Sequence, residues 1–232
     1  MPKQFNITWD GQGEKKFEAG TDHAVLYPIA ADGSYPKGVA WNGITAVNES
    51  PEGGDAQDFY ADNIKYGSLR GAENFNGTIE CYTYPDEWKA CDGRKELVPG
   101  VTVAQQNRKA FGLSYRSLLG NDTEDLDLGY ILHLVYNATA SPSEKSRATI
   151  NESPEIQTFS YEFKTTPVPV TAIANAKATS HIEIDSTKVT SAQLTAIEEI
   201  LYGTAADSST STPAVEGRLP LPDEVYDILT NL

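Results

Sequence analysis

The chain has 232 residues, with 33 acidic and 18 basic side chains and a formal net charge of −15. A protein that reads nucleic acid needs lysine and arginine to displace counterions from phosphates, so this charge argues against nucleic-acid recognition. A chain of this length can bury a core, and its hydrophobic share of 39% is ordinary for a soluble protein. The first six residues contain no apolar run, so we expect no secretory signal.

Alternating side chains predict a mostly β domain in the first 190 residues. Between residues 74 and 84, Phe75, Ile79 and Cys81 share one face, and a period of two indicates a half-buried strand. Residues 129–138 are apolar on both faces and predict a buried central strand, in which His133 is an interior side chain. The same approach predicts further strands at residues 39–48, 111–115, 159–163 and 178–185.

Two pieces that precede residue 74 have unusual patterns. Residues 50–57 are polar and rich in glycine, which predicts an extended loop. Residues 60–66 are strand-like, but both faces carry apolar groups next to charged ones. A strand of this kind needs apolar surface on two sides, which a second copy of the chain would offer.

From residue 191 the apolar side chains recur with the period of a helix. Thr190 or Ser191 can cap the start of this helix, and Gly203 can cap its end. Pro222 then begins a second predicted helix. Its apolar stripe is formed by Val225, Ile228, Leu229 and Leu232. We therefore divide the chain into a β domain with a helix (residues 1–203), a flexible linker rich in Ser and Thr (204–217) and a C-terminal helical segment (218–232).

Candidate metal ligands are few. The acidic run 121–127 lacks the glycine and glutamate positions of an EF-hand, so we expect a solvated turn. Cys81 and Cys91 lack zinc-site spacing, and we expect two buried thiols, with a disulfide as the alternative. His181, Glu183 and Asp185 alternate on one strand face, as polar groups commonly do on a wet face. The sequence therefore predicts neither a metal nor another cofactor.

Catalytic signatures are absent from the sequence. We find no nucleophile elbow, phosphate-binding loop, dinucleotide glycine pattern or His-Glu-x-x-His motif. The three histidines are scattered along the chain. We therefore expect a protein that is not an enzyme.

Three pieces of the chain resemble the major tail tube protein of long, non-contractile-tailed bacteriophages. They are residues 50–93, with SPEGG, YADNIKY and TYPDEW, residues 159–168 (FSYEFKTTPV), and the end of the chain, with EEILYGT and LPLPDEV. The resemblance covers most of the chain in the right order. It implies a tail-tube-type β-sandwich or barrel with one flanking helix and a C-terminal helix. It also implies that strands from six copies complete a shared ring barrel, and that rings stack into a tube for DNA delivery.

The same resemblance implies partners and a location. The partners are further copies of the chain, the tape measure protein, the tail terminator and the distal tail or baseplate proteins, with transient, non-specific passage of double-stranded DNA. The protein is expected in the virion tail after assembly in the cytoplasm of the host bacterium, without membrane insertion. The expected inter-subunit contact residues are Ser50, Pro51, Glu52, Gly53, Gly54, Asp55, Tyr60, Asp62, Ile64 and Tyr66.

A second hypothesis belongs to another functional class. Exposed tryptophan and tyrosine on a sheet face can stack on sugars. Trp9, Trp41 and Trp88 would allow a monomeric β-sandwich to act as a carbohydrate-binding or adhesin module. If these side chains lie in a core instead, they cannot serve this purpose.

Overall fold

A computed structural model describes residues 7, 9–150, 152, 156–206 and 213–232. Within these ranges the protein is mostly β, with three helices, none of which is long and apolar enough to cross a membrane. The helices are α1 Trp88–Cys91, α2 Ser191–Tyr202 and α3 Pro222–Asn231. The strands are β1 Phe17–Pro28, β2 Val39–Ala40, β3 Ile44–Glu49, β4 Glu52–Gly53, β5 Ala56–Ala61, β6 Ile64–Arg70, β7 Glu73–Asn74, β8 Asn76–Cys81, β9 Lys95–Val98, β10 Val101–Val103, β11 Phe111–Asn121, β12 Asp125–Ala140, β13 Phe159–Thr165, β14 His181–Asp185, β15 Gly203–Thr204 and β16 Val215–Glu216.

Eight of these strands form one open antiparallel sheet in the order β2-β1-β11-β12-β13-β8-β3, with β14 also paired to β12. One edge of β12 pairs with β11. The other edge pairs first with β14, through residues 131–135, and then with β13, through residues 138–140. Residues 132–136 are buried, which confirms the prediction of a central strand at 129–138.

The large sheet buries side chains on both of its faces. Along β12, His133 and Val135 point to one face, and Leu132 and Leu134 point to the other. The first face encloses an aromatic core whose largest members are Trp41, Trp88, Phe111, Tyr161 and Phe163. The second face packs against the two long helices, chiefly through Tyr27, Tyr136, Ile184, Ile197, Leu201, Leu219 and Val225. Burial of each large apolar side chain contributes about 1.5–3 kcal/mol to the free energy of unfolding.

The aromatic core is centred on α1, which contributes Trp88 and Cys91. Trp88 is fully buried, and its ring centroid lies 4.6 Å from that of Trp41 and 5.0 Å from that of Phe111. Trp41 Nε1 donates a hydrogen bond to the Thr83 carbonyl, 2.9 Å away. Two of the three tryptophans therefore serve the core.

Helix α2 begins at the predicted place. The Thr190 side chain accepts a hydrogen bond from the Gln193 amide, the Gln193 side chain accepts one from the Thr190 amide, and Gly203 follows the helix with φ of 77°. Helix α3 begins with Pro222, as predicted, but Leu232 at the end of its expected stripe is 65% exposed. The predicted linker at 204–217 includes residues 207–212, which lie outside the described residues; on either side of them β15 pairs with β16.

The acidic turn and the cysteines lie where the sequence indicates. The Asn121 Oδ1 atom accepts hydrogen bonds from the amides of Thr123 and Glu124, so the acidic run forms a tight turn between β11 and β12. Cys81 and Cys91 are fully buried free thiols. Burial raises the pKa of Cys81 to about 11 and that of Cys91 to about 12, so both thiols are protonated at neutral pH.

Candidate interaction surface

Residues 50–75 form an arm that leaves the large sheet between β3 and β8. At its base, β4 pairs with β7 through Glu52↔Asn74, and beyond the base, β5 and β6 form a hairpin. Nearly every residue of the arm is exposed. The arm therefore offers a long surface that the described part of the chain does not cover.

The tip of the hairpin corrects the prediction for residues 60–66. Asp62 and Asn63 have φ of 50° and 63°, and two successive positive φ values are what a two-residue type I′ turn requires. The turn divides the expected single strand into the end of β5 and the start of β6. The single-strand prediction was wrong because Asp and Asn tolerate this backbone conformation, so the chain reverses there.

The base of the arm depends on glycine. Gly53 has φ of 87°, and a Cβ atom added to it would lie 2.5 Å from the Ala72 carbonyl oxygen. The Asn76 side chain donates a hydrogen bond to Glu52 Oε2 at 2.9 Å, and the Ser50 amide donates one to the Asn76 carbonyl at 2.7 Å. The segment 50–57, expected to be a loop, is thus held to the sheet at its start and contributes short strands.

The hairpin has two different faces. Cross-strand pairing places Phe59, Ile64 and Leu69 on one face, where they are 47%, 65% and 70% exposed. Tyr66 is the extra residue at an irregularity in the pairing, is 73% exposed, and has its ring centroid 6.4 Å from that of Phe59. The arm therefore carries an exposed, mainly apolar face, a feature that marks contact sites in soluble proteins.

The opposite face of the hairpin is mainly polar. Lys65 Nζ lies 2.7 Å from Asp58 Oδ1, and this ion pair joins the two strands. The hydrogen bond from Lys65 lowers the pKa of the Asp58 carboxyl group, so Asp58 is a carboxylate at neutral pH. Tyr60 also belongs to this face and is 68% exposed. The separation into two faces differs from the mixed faces expected for a single strand.

All ten predicted contact residues lie on the arm, in two groups. Ser50, Pro51, Glu52, Gly53, Gly54 and Asp55 are at its base, and Tyr60, Asp62, Ile64 and Tyr66 are on the hairpin. Nine of them are exposed, and Gly54 is half-buried. Phe59 and Leu69 were not among the predicted contact residues, but strand pairing places them on the apolar face. The Asp62-Asn63 pair was the signal from which the hairpin, and hence these two residues, could have been found.

The expectation that polar side chains on one face of β14 are solvent-exposed holds for Glu183 but is corrected for His181. His181 is largely buried, and its ring stacks on that of Phe75 with 4.3 Å between centroids. Asp185 instead accepts hydrogen bonds from the Thr187 amide and hydroxyl. His133 is buried as predicted, and its Nε2 lies 2.8 Å from Ser117 Oγ.

The tryptophans do not form a sugar-stacking platform. Trp41 and Trp88 are 3% and 0% exposed, and both lie in the aromatic core. Trp9 is 71% exposed. The aromatic side chains on which the carbohydrate-binding hypothesis relied are therefore largely unavailable to a ligand.

Comparison with known proteins assigns the family. A family model described as phage tail tube protein matches residues 37–207, a segment that includes the arm, the central strands and α2. A search of curated proteins found no match. Because the matched segment covers well over half of the 232 residues, the chain belongs to the phage tail tube protein family.

Proposed function

We propose that the chain is the subunit of a phage tail tube, that it polymerises as stacked hexameric rings, and that the tube is the conduit for phage DNA. Membership of the family supports a structural role in the virion tail rather than catalysis. The observation that carries the polymerisation is the exposed apolar face of the arm, formed by Phe59, Ile64, Tyr66 and Leu69.

The open sheet supports assembly into a ring. Strands β3 and β14 each pair along one edge only with the described strands. An exposed edge presents unpaired backbone donors and acceptors, and joining strands of neighbouring copies into a closed barrel satisfies them. In a ring every interface is head to tail, so two different surfaces of one subunit must fit each other.

The arm supplies one of these two surfaces. Its hairpin would place the apolar face against a neighbouring copy, while the base residues 50–55 provide polar groups around it. Each of the four large side chains that becomes fully buried contributes about 1.5–3 kcal/mol to the free energy of association. The arm stands away from the large sheet, so this contact does not require the sheet to rearrange.

The negative charge fits passage of DNA without binding. A net charge of −15 on each subunit repels phosphates, so a tube of such subunits would let the genome slide through. The further partners on this proposal are the tape measure protein, the tail terminator and the distal tail or baseplate proteins. Assembly would take place in the host cytoplasm.

Size-exclusion chromatography and negative-stain electron microscopy of the purified chain test the proposal. We expect rings or tubes, and we expect the variant Ile64→Lys/Leu69→Lys to remain a folded species of 25.2 kDa. The matched control is Leu232→Lys, which places a lysine at an equally exposed leucine outside the arm and should assemble normally. A wild-type chain that stays monomeric at high concentration, or a double-lysine variant that assembles as well as the control, contradicts the proposal.

A further inference from the structure

Three side chains suited to metal binding meet where the arm joins the sheet. Glu49 ends β3, His133 lies in β12, and His181 begins β14. His133 Nδ1 is 3.2 Å from His181 Nε2 and 3.5 Å from Glu49 Oε1, and the last two atoms are 3.9 Å apart. Around a tetrahedral Zn²⁺ with bonds of about 2.0–2.1 Å, neighbouring ligand atoms lie about 3.4 Å apart. The three observed distances, 3.2, 3.5 and 3.9 Å, lie on both sides of that value.

Neighbouring groups orient two of the three side chains. When His133 Nε2 carries the proton and donates it to Ser117 Oγ, 2.8 Å away, the Nδ1 lone pair is left for a metal. Tyr115 donates its hydroxyl proton to Glu49 Oε1 at 2.5 Å, and its ring stacks on that of His133 with centroids 4.5 Å apart. Outer-shell hydrogen bonds of this kind are typical of metal sites.

The cluster opens into a cleft that favours a cation. The cleft has a volume of about 400 Å³, and Glu18 and Glu183 line it together with Glu49. Three carboxyl groups thus line the cleft together with the His133 imidazole.

We propose that Glu49, His133 and His181 bind one divalent transition-metal ion, for which Zn²⁺ is the natural probe. Two nitrogen ligands and one oxygen ligand suit Zn²⁺, and the cleft leaves a fourth position for water or a second carboxylate. The ion would restrain both ends of the arm. Glu49 directly precedes the arm, and Phe75, its last residue, stacks on His181. The site lies within one chain and does not depend on the polymerisation proposed above.

The test is metal titration of the full chain, prepared without a histidine tag and stripped with a chelator. Isothermal titration with Zn²⁺ should show one ion per chain, and Co²⁺ should give the intense visible absorption of a four-coordinate site. Glu49→Gln and His181→Ala should each weaken Zn²⁺ binding at least about tenfold. His23→Ala is the matched control, since His23 is a half-exposed histidine in β1 outside the cluster, and it should bind as the wild type does.

Two outcomes would overturn the proposal. One is absence of stoichiometric Zn²⁺ binding by the folded wild-type chain. The other is unchanged affinity in Glu49→Gln, a variant that keeps the side-chain shape at a position only partly buried, so that its folding is secure even if His181→Ala does not fold. Circular dichroism before metal addition establishes that each variant is folded.

Discussion

The Tyr27 hydroxyl donates a hydrogen bond to the main-chain oxygen of Leu201, 3.0 Å away, and so joins the large sheet to the last turn of α2. Tyr27 is fully buried, and its hydroxyl also lies 3.2 Å from Ser114 Oγ. Burial raises the pKa of Tyr27, so the hydroxyl remains a donor over the whole range in which the protein is handled. This contact links residues that are far apart in the sequence and fixes the helix to the sheet.

Tyr27→Phe should therefore destabilise the protein. The substitution leaves a buried carbonyl without its donor, which costs about 1–3 kcal/mol in the free energy of unfolding. Chemical denaturation monitored by circular dichroism measures the change. Tyr82→Phe removes the same hydroxyl from a tyrosine that is 48% exposed and should change stability by less than about 0.5 kcal/mol. Equal effects of the two substitutions would contradict the assigned role.

Gly53→Ala should loosen the base of the arm. A Cβ atom at this position meets the Ala72 carbonyl oxygen, and the φ of 87° disfavours any residue with a side chain. We expect faster amide hydrogen exchange across residues 50–75, with the large sheet unaffected. Gly71→Ala is the control, because a Cβ atom there has no neighbour within 4 Å among the described residues. Identical exchange in the two variants would show that Gly53 is not a constraint.

Acid should weaken the contacts that hold the start of α3. A hydrogen bond from Thr171 lowers the pKa of Asp223, and one from Arg218 lowers the pKa of Glu224. A carboxyl group whose folded pKa is lowered stabilises the fold above its ordinary pKa, here 3.8 and 4.5, and this stabilisation is lost as the pH falls through the folded pKa. Hydrogen exchange in α3 should therefore accelerate as the pH is lowered below about 4, after correction for the intrinsic rate.

The variant Asp223→Asn checks the cause of this acid release. It removes the titrating group, so α3 should already be loosened at neutral pH, and the further change in acid should be smaller. Asp227→Asn makes the same charge change at an exposed position of the same helix and should keep the wild-type profile. A wild-type profile in Asp223→Asn would show that another group is responsible.

Salt should accelerate polymerisation. Subunits with a net charge of −15 repel one another, and added salt shortens the range of the repulsion to about 8 Å at physiological ionic strength. Light scattering and electron microscopy should show faster tube growth as sodium chloride is raised, with sucrose of equal osmolality as the control. Growth that slows in salt, or that responds equally to sucrose, would contradict electrostatic control of assembly.

Regular patterns in the sequence predicted the central strand and the starts of the two long helices. The apolar run around Leu134 identified the central strand because a strand buried on both faces must be apolar throughout. Thr190 and Pro222 placed the helix starts, because capping and first-turn preferences are local. In each case the physical cause acts within a few residues, so the sequence alone reveals it.

The arm and the histidine cluster were harder to predict for a different reason. The faces of the hairpin depend on which residue of β5 pairs with which residue of β6, and the turn at Asp62-Asn63 sets that register. His133 and His181 meet because β12 and β14 pair in one particular register, while Glu49 comes from the other edge of the sheet. The histidine cluster is therefore a property of the folded topology and leaves no local pattern, whereas the Asp62-Asn63 pair is a local signal for the hairpin.

A cryo-electron microscopy reconstruction of the assembled protein would show directly whether the arm joins one copy of the chain to another. We expect Phe59, Ile64 and Leu69, which are exposed in the single chain, to be buried against a neighbouring subunit. A tube in which residues 50–75 extend into solvent, without contact to any other copy, would contradict it.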